Sequence, residues 1–248
     1  MIGMEEEMGW RLRGEDKVGS NGWKRQMVMG QQEMALAGID RNKLTSHYLV
    51  MGMRNRLVHH ILTHLILINP QTWKSMTALP KSHVLNIGVS NFSPNQLKNI
   101  ISSTGIKPFA HQMELHPYLQ QSAWVATHKA LGISLTAYSP LGNTNPTYDS
   151  KHKTIPALLD NKVLREIAEE RNCTTAQVAL KWGMGRGVSV IPKSSHKEWI
   201  RENLAAGECV LGHADLTRLR IVGRKWLGRF NNPSKGWGVG LFEGLDGV

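Results

Sequence analysis

Four times in its last two-thirds the chain runs through a short apolar or β-prone stretch and then breaks into small, amide, hydroxyl or basic residues. The stretches are LNIGVSNF (85–92), AHQMELHPY (110–118), ISLTAYSPLG (133–142) and VSVIPKSS (188–195). Runs of this length that end in polar groups predict parallel strands whose carboxyl ends open onto a ligand site. The segments between them carry apolar residues at helical spacing. After GVSNF, Ser93 is placed to cap a helix, with Pro94 in its first turn and Gln96 completing a capping box. Leu97, Ile100 and Ile101 follow, and Gly105 supplies a stop.

The same alternation continues downstream. A helix is predicted over about 120–131, ending at Gly132, and then a strand over about 133–138. The Pro-, Asn- and Gly-rich stretch 139–158 is long enough to read as a functional loop. Two helices capped by Asp160 and by Thr174 come next, Thr174 pairing with Gln177 in a second capping box. A strand over about 188–192 leads to Ser195, with Glu198 at the capping-box position and a helix to Ala206; a last helix, about 214–227, carries Leu216, Leu219 and Val222.

Alternating strands and helices predict an α/β fold with a parallel sheet covered by helices. The sheet could be open and doubly wound or closed as a barrel. No predicted strand is followed by G-x-G-x-x-G, and GWGVG (236–240) has the wrong spacing, so a Rossmann site lacks support. Ligand residues at the ends of several successive strands fit the barrel rule. The first 70 residues are Met- and Gly-rich and weakly patterned; 31–38 reads as a short helix, and 61–68 as a buried strand or part of a helix.

Composition narrows the function classes. The 248 residues, 41% hydrophobic, are enough for one large α/β domain or two small ones. The formal charge is +11, but no Lys/Arg run exceeds two residues. A phosphate-bearing small ligand is therefore favoured over nucleic acid. The most apolar stretch, LVHHILTHLILI (57–68), is 12 residues with three histidines, too short and polar to span a bilayer. His60 and His64 lie four apart, but no acidic partner is near, so packing or solvent exposure is favoured and no metal is expected. Cys173 and Cys209 form no CxxC or zinc spacing, and MIGMEEEMGWRLRGED lacks the regions of a signal peptide. Both observations lead to the expectation of a reducing, cytoplasmic setting.

GVSNF, HPY, AYSPLG and IPKS, in this order and spacing, resemble the aldo-keto reductases over about residues 72–248. The tail FNNPSKGWGVGLFEGLDG (230–247) is similar to that of fungal aldehyde or glycerol reductases. The resemblance implies a (β/α)8 TIM-barrel type of fold and NADPH-dependent reduction of aldehydes or ketones to alcohols. It implies that Ser90, Asn91 and Gln112 hold the nicotinamide carboxamide and that Tyr138 stacks on the ring. Ser139 and Leu141 would approach the pyrophosphate, Lys193 and Ser194 the 2′-phosphate region, and Glu202 and Asn203 the adenine. These residue types suit the parts: a carboxamide needs donors and acceptors, a flat ring an aromatic face, and a phosphate a cation and hydroxyls.

The chain departs from the family at two places. Trp199 stands five positions after Ser194, where the family has an Arg on the 2′-phosphate; an indole makes no bidentate phosphate contact, which opens the site to NADH. Upstream, the family's Asp, Tyr, Lys and His are not found, and the catalytic residues are left unassigned. There LILINP (65–70) puts Ile68 at the His position, TSH (45–47) puts His47 at the Lys position, and Tyr48 lacks the Tyr motif's neighbours. The family's Tyr is an acid whose pKa must fall from about 10 towards working pH.

Length agrees with this departure. Four βα units at about 31 residues each need roughly 120 residues, yet only 84 precede the GVSNF strand. The expectation is therefore a barrel incomplete or altered in its N-terminal half. Residues 1–70 would be an atypical remnant, and 71–248 the half carrying the cofactor site and tail. The function expected is an NADP-dependent oxidoreductase acting on a small carbonyl or alcohol substrate. The alternative is a catalytically inactive dinucleotide-binding partial barrel, whose open strand edges would favour self-association.

Overall fold

The structure, a computed structural model, describes residues 26–28, 48–52, 70–82, 84–142, 155–232 and 242. Its first two strands are described by their backbone. Strand β1 is Gln26–Val28 and β2 is Tyr48–Gly52. Helix α1 (Pro70–Thr77) leads to β3 (Asn86–Ser90), α2 (Pro94–Thr104) and β4 (Ala110–Glu114). Then come α3 (Ser122–Leu131), β5 (Ser134–Tyr138), α4 (Lys162–Glu170) and α5 (Thr175–Met184). The last described elements are β6 (Val188–Val190), α6 (Lys197–Leu204) and α7 (His213–Lys225).

All five strand pairings are parallel, and the order in the sheet is β1 to β6 without a reversal. This order decides between the two arrangements left open by the alternation. A doubly wound sheet reverses direction at a switch point, whereas a barrel adds each strand beside the last. Burial agrees: all five residues of β4 are buried, and β3 is buried over its last four, so both faces of these strands are covered. One apolar cluster packs β4 and β5 against α4, α5 and α7, including Leu164, Ile167, Val178, Trp182 and Leu219. A second packs Trp73 and Met76 of α1 and Leu97 and Ile100 of α2 against Ile87 and Val89.

The caps explain where these helices start and stop. Ser93 accepts from the Gln96 N–H while the Gln96 side chain accepts from the Ser93 N–H, and Gly105 closes α2 at φ 69°. Thr174 and Gln177 make the same reciprocal pair on α5. Two caps differ from expectation. Asp160 ends a short 3-10 turn, and Asn161 caps α4 because its Oδ1 reaches the Val163 N–H. Ser195 does not cap α6; the helix starts one residue later, from His196, whose N–H is taken by the Ser194 hydroxyl. Helix α6 ends at Leu204, and residues Ala205–Glu208 tighten into a 3-10 turn. The segments 31–38 and 61–68, His60 and His64 lie outside the described residues.

The two cysteines lie together in the fold. Cys173, after α4, is bonded to Cys209, after the 3-10 turn, with S–S 2.22 Å and Cα–Cα 5.9 Å. The two are 36 positions apart, and only the packing of α5 against that turn brings them together. Among the described residues, no helix is long and apolar enough to cross a membrane, and no group of three or more His, Cys, Asp or Glu could hold a metal.

Two glycines mark close approaches. A Cβ on Gly223 of α7 would meet Gln120 Nε2 and, at 2.6 Å, the Pro117 carbonyl oxygen. A Cβ on Gly88 would come within 2.5 Å of the Ala110 carbonyl oxygen on the paired strand. That oxygen is backbone and cannot swing aside, so Gly88→Ala must move β3 away from β4. Overpacking of this kind costs about 1–3 kcal/mol, against at most about 1 kcal/mol returned by the stiffer unfolded chain. Gly88→Ala is expected to lower the urea midpoint, and an unchanged midpoint would refute the close approach.

Candidate functional site

The carboxyl ends of β3, β4 and β5 meet where the sequence predicts a ligand. Ser90 closes β3 and is a register partner of Gln112 in β4, while Tyr138 closes β5 as the partner of Glu114. Asn91 follows Ser90 with a left-handed backbone, φ 58°, a conformation Asn tolerates better than most residues. The turn is held by the Asn91 N–H donating to the Gln112 carbonyl, 3.0 Å. The Tyr138 hydroxyl donates to Asn91 Oδ1 at 3.0 Å. Burial, and secondarily the Glu114 carboxylate, pushes the Tyr138 hydroxyl well above its usual range, so it stays a neutral donor.

Gln112 is buried, and its Nε2 has no hydrogen-bond partner. A buried amide donor without an acceptor costs about 1–3 kcal/mol. Beside it, Asn91 has its oxygen committed to Tyr138, and Ser90 is also buried. A ligand carboxamide supplies the acceptor that Gln112 lacks and donors for neighbouring oxygens. These residues therefore fit the amide end of a nicotinamide.

Ser139 also has a left-handed backbone, φ 46°; its hydroxyl accepts from Asn231 Nδ2 at 2.9 Å. Leu141 is half-buried and packs against the first core cluster. Lys193 is exposed and Ser194 half-buried in the loop between β6 and α6. Glu202 and Asn203 are half-buried near the end of α6, where the Glu202 carbonyl accepts from Gln177. Trp199 is 53% exposed, its ring 4.0 Å from that of His196. The predicted residues thus form two groups. Ser90, Asn91, Gln112, Tyr138 and Ser139 lie together at the ends of β3 to β5, and Lys193, Ser194, Glu202 and Asn203 lie around the start and end of α6.

Two clusters were not assigned from the sequence. The first is a buried carboxylate. Glu114 Oε1 accepts from His116 Nε2 at 3.0 Å and from the Phe230 N–H at 2.6 Å; Oε2 accepts from the Asn231 N–H at 3.0 Å. Arg229 Nη1 lies 3.5 Å from Oε2. Burial alone would push the Glu114 carboxyl up, but the His116 contact, Arg229 and the Phe230 N–H outweigh it and hold the carboxyl below its usual range. His116, expected to shape its loop, also exchanges backbone hydrogen bonds with Leu119.

The second cluster is a histidine pair. His111 Nε2 accepts from the Phe92 N–H at 3.0 Å, so its proton sits on Nδ1, which faces His128 Nε2 at 2.7 Å. His128 then carries its proton on Nδ1, toward the Trp124 carbonyl at 2.8 Å. Each nitrogen has one partner only while both rings are neutral. The pair holds the Phe92 N–H, one residue beyond Asn91. It left no motif in the sequence because the two rings come from β4 and α3, 17 positions apart.

An all-parallel, sequentially wound sheet with amide side chains gathered at its strand ends defines an α/β fold of barrel type. The chain belongs to the aldo/keto reductase family, whose model matches residues 58–224. It is 44% identical over 167 residues to an uncharacterized oxidoreductase of Schizosaccharomyces pombe, covering 66% of this chain and 50% of that protein. It is 34% identical over 157 residues to aldo-keto reductase family 1 member A1 of Rattus norvegicus, covering 63% and 48%. The solved structure of an aldose reductase from Giardia lamblia superposes with a TM-score of 0.65 at 26% identity, covering 79% of this chain and 68% of that one. The α/β barrel type of fold is thereby shown. The chain spans about half the length of the curated relatives it matches.

The histidine pair has a pH consequence. Burial lowers the pKa of both rings, and each ring's neighbours modify that; for His111 the His128 ring lowers it further. The unfolded rings titrate near ~6.5, above the folded ones, so the pair's stability is complete above that pH. Below it the unfolded chain binds more protons, and stability falls by about 1.4 kcal/mol per pH unit for each proton taken up. Urea unfolding from pH 7.5 to 5.5 should show this loss. Nitrogen-15 shifts of both imidazoles should remain those of neutral rings at pH 6; a ring titrating at its ordinary pKa would refute the assignment.

Proposed function

We propose that the chain binds NADPH and belongs to the reductase chemistry of its family, the conversion of aldehydes or ketones to alcohols. The observation that supports this reading above all others is the orphaned Gln112 Nε2, buried on the strand beside Asn91, whose Oδ1 is taken by Tyr138. When bound, the cofactor supplies a hydride. The chain's own part is to hold and orient. Ser90, Asn91 and Gln112 take the carboxamide, and Tyr138 offers its ring face. Ser139 and Leu141 flank the pyrophosphate; Lys193 and Ser194 take the 2′-phosphate region, and Glu202 and Asn203 the adenine. The reading keeps the cytoplasmic setting that the sequence leads one to expect.

A second reading, binding without turnover, is favoured by the sequence upstream, where Ile68 and His47 stand at the family's His and Lys positions. Two measurements separate the readings. Tryptophan fluorescence should change saturably with NADPH, and Gln112→Ala should weaken binding about three- to tenfold for the lost amide contact. Absence of a saturable change sinks both readings. Loss of the NADPH absorbance band with a panel of aldehydes supports the first, and binding without oxidation supports the second.

Trp199 sets the selectivity between the two phosphorylation states of the cofactor. Replacing it by Arg adds a charge-assisted phosphate contact. Trp199→Arg is therefore expected to tighten NADPH relative to NADH by roughly tenfold. An unchanged ratio of dissociation constants would remove residue 199 from the 2′-phosphate site.

A further inference from the structure

Cys173 and Cys209 are the two cysteines of the chain, and neither has a part in the cofactor reading. Their bond joins the residue before the α5 cap to the end of the segment that carries Glu202 and Asn203. That segment is lightly anchored. Among the described residues, α6 buries none of its own side chains; Trp199 is 53% and Leu204 87% exposed. The 3-10 turn that follows buries Ala206 alone. Two side-chain hydrogen bonds tie the segment to α5. Gln177 Nε2 donates to the Glu202 carbonyl at 3.1 Å, and Lys181 Nζ to the Gly207 carbonyl at 2.6 Å. The second is exposed, where water competes for both partners. The Cys173–Cys209 bond is therefore the one covalent stop on a segment that packing holds weakly.

The bond is placed to open and close. Cys209 is buried, whereas Cys173 is half-buried beside the exposed Asn172. A small thiolate reaches the Cys173 sulfur, breaks the S–S bond, releases Cys209 as a thiolate and leaves a mixed disulfide on Cys173. A second small thiolate then attacks the sulfur bound to Cys173, releases that cysteine and forms a small disulfide. Two small thiols are oxidised, the pair is reduced, and each cysteine takes up one proton. The reverse consumes one small disulfide as oxidant. The thiols stay close once parted. Arg171, two residues before Cys173, donates through Nε to the buried Asp215 at 2.8 Å. Asp215 also accepts from the N–H of Gly212, three residues after Cys209, at 2.7 Å. This contact spans the break from the side away from α6, so re-oxidation stays intramolecular while α6 loses its stop.

We propose that Cys173 and Cys209 form a reversible redox-modification site, exchanged by small thiols and disulfides of the glutathione type, which fixes the α6 segment when oxidised and loosens it when reduced. Its effect on cofactor rests on the reading of Glu202 and Asn203 as adenine contacts; the redox chemistry does not. The full chain is equilibrated in glutathione buffers from oxidising to reducing, and alkylated thiols are counted by mass while circular dichroism follows the fold. Loss of the bond in the folded chain and its return on re-oxidation are expected. A bond that yields only with unfolding, or does not re-form, overturns the switch. Amide hydrogen exchange over residues 197–208 should be faster in the reduced chain, with exchange in α2 unchanged; equal rates over 197–208 overturn the loosening. Cys173→Ser should match the reduced chain and ignore glutathione, and where it fails to fold, the exchange comparison in the unaltered chain decides. Adenosine 2′,5′-bisphosphate should bind about fivefold more weakly after reduction, the margin of re-ordering one long side chain. Equal affinities overturn the coupling to the adenine contacts. No binding in either state, with the exchange difference intact, overturns the adenine reading and leaves the redox site standing.

Discussion

The site depends on one buried carboxylate. Glu114 lies at the end of β4, fully inaccessible, and its two oxygens take a histidine N–H and the backbone N–H groups of Phe230 and Asn231, 116 and 117 positions later. A bare buried charge would be costly, and these donors offset its desolvation. In satisfying Glu114 they fix the chain after α7 over the strand ends. From that position Asn231 reaches the Ser139 hydroxyl, and Arg229 comes to lie against Phe242. The same charge, together with burial, keeps the Tyr138 hydroxyl protonated and therefore able to orient Asn91. Strand ends and tail are thus tied to one ion.

Much of the architecture was legible in local patterns because local interactions fix it. Ser93–Gln96 and Thr174–Gln177 are capping boxes whose partners are three residues apart, and they sit where the pattern puts them. The strand ends were visible because a strand buried on both faces reads as an unbroken apolar run, which polar site residues interrupt. Where two capping candidates adjoin, as at Asp160 and Asn161, the pattern could not choose between them; a preceding 3-10 turn takes up Asp160. Helix α1 was missed because it starts at Pro70, just beyond the segment 61–68 that read as strand or helix; its burial of Trp73 and Met76 against β3 is a tertiary fact.

The site divides along the same line. Ser90, Asn91, Gln112 and Tyr138 were identified through the family motifs, and the structure brings them together. Glu114 and His116 lie inside one of those motifs, but their partners Phe230 and Asn231 are remote, and nothing in the spacing announces the pairing. The His111–His128 pair and the Cys173–Cys209 bond are hidden for the same reason. The histidines show the opposite electrostatic solution to Glu114: two titratable rings are buried by staying neutral, each giving its one proton to the next acceptor. One network keeps its charge by surrounding it with donors, and the other avoids charge altogether, within the same strand.

Gln120 donates to the Leu219 carbonyl, 99 positions away, and Gly223 one turn later leaves no room for a side chain against Pro117 and Gln120. The loop after β4 and the last helix are therefore fitted to each other as a socket and its insert. Among the described residues, the long stretch between them contains four α-helices and two strands, yet it is not a removable module. Any cut, permutation or graft placed between Gln120 and Leu219 separates the two halves of that joint, and with them the strand end that carries Glu114 from the backbone that neutralises it. The group of polar residues at the ends of β3 to β5 is thus held by backbone more than a hundred positions after Glu114.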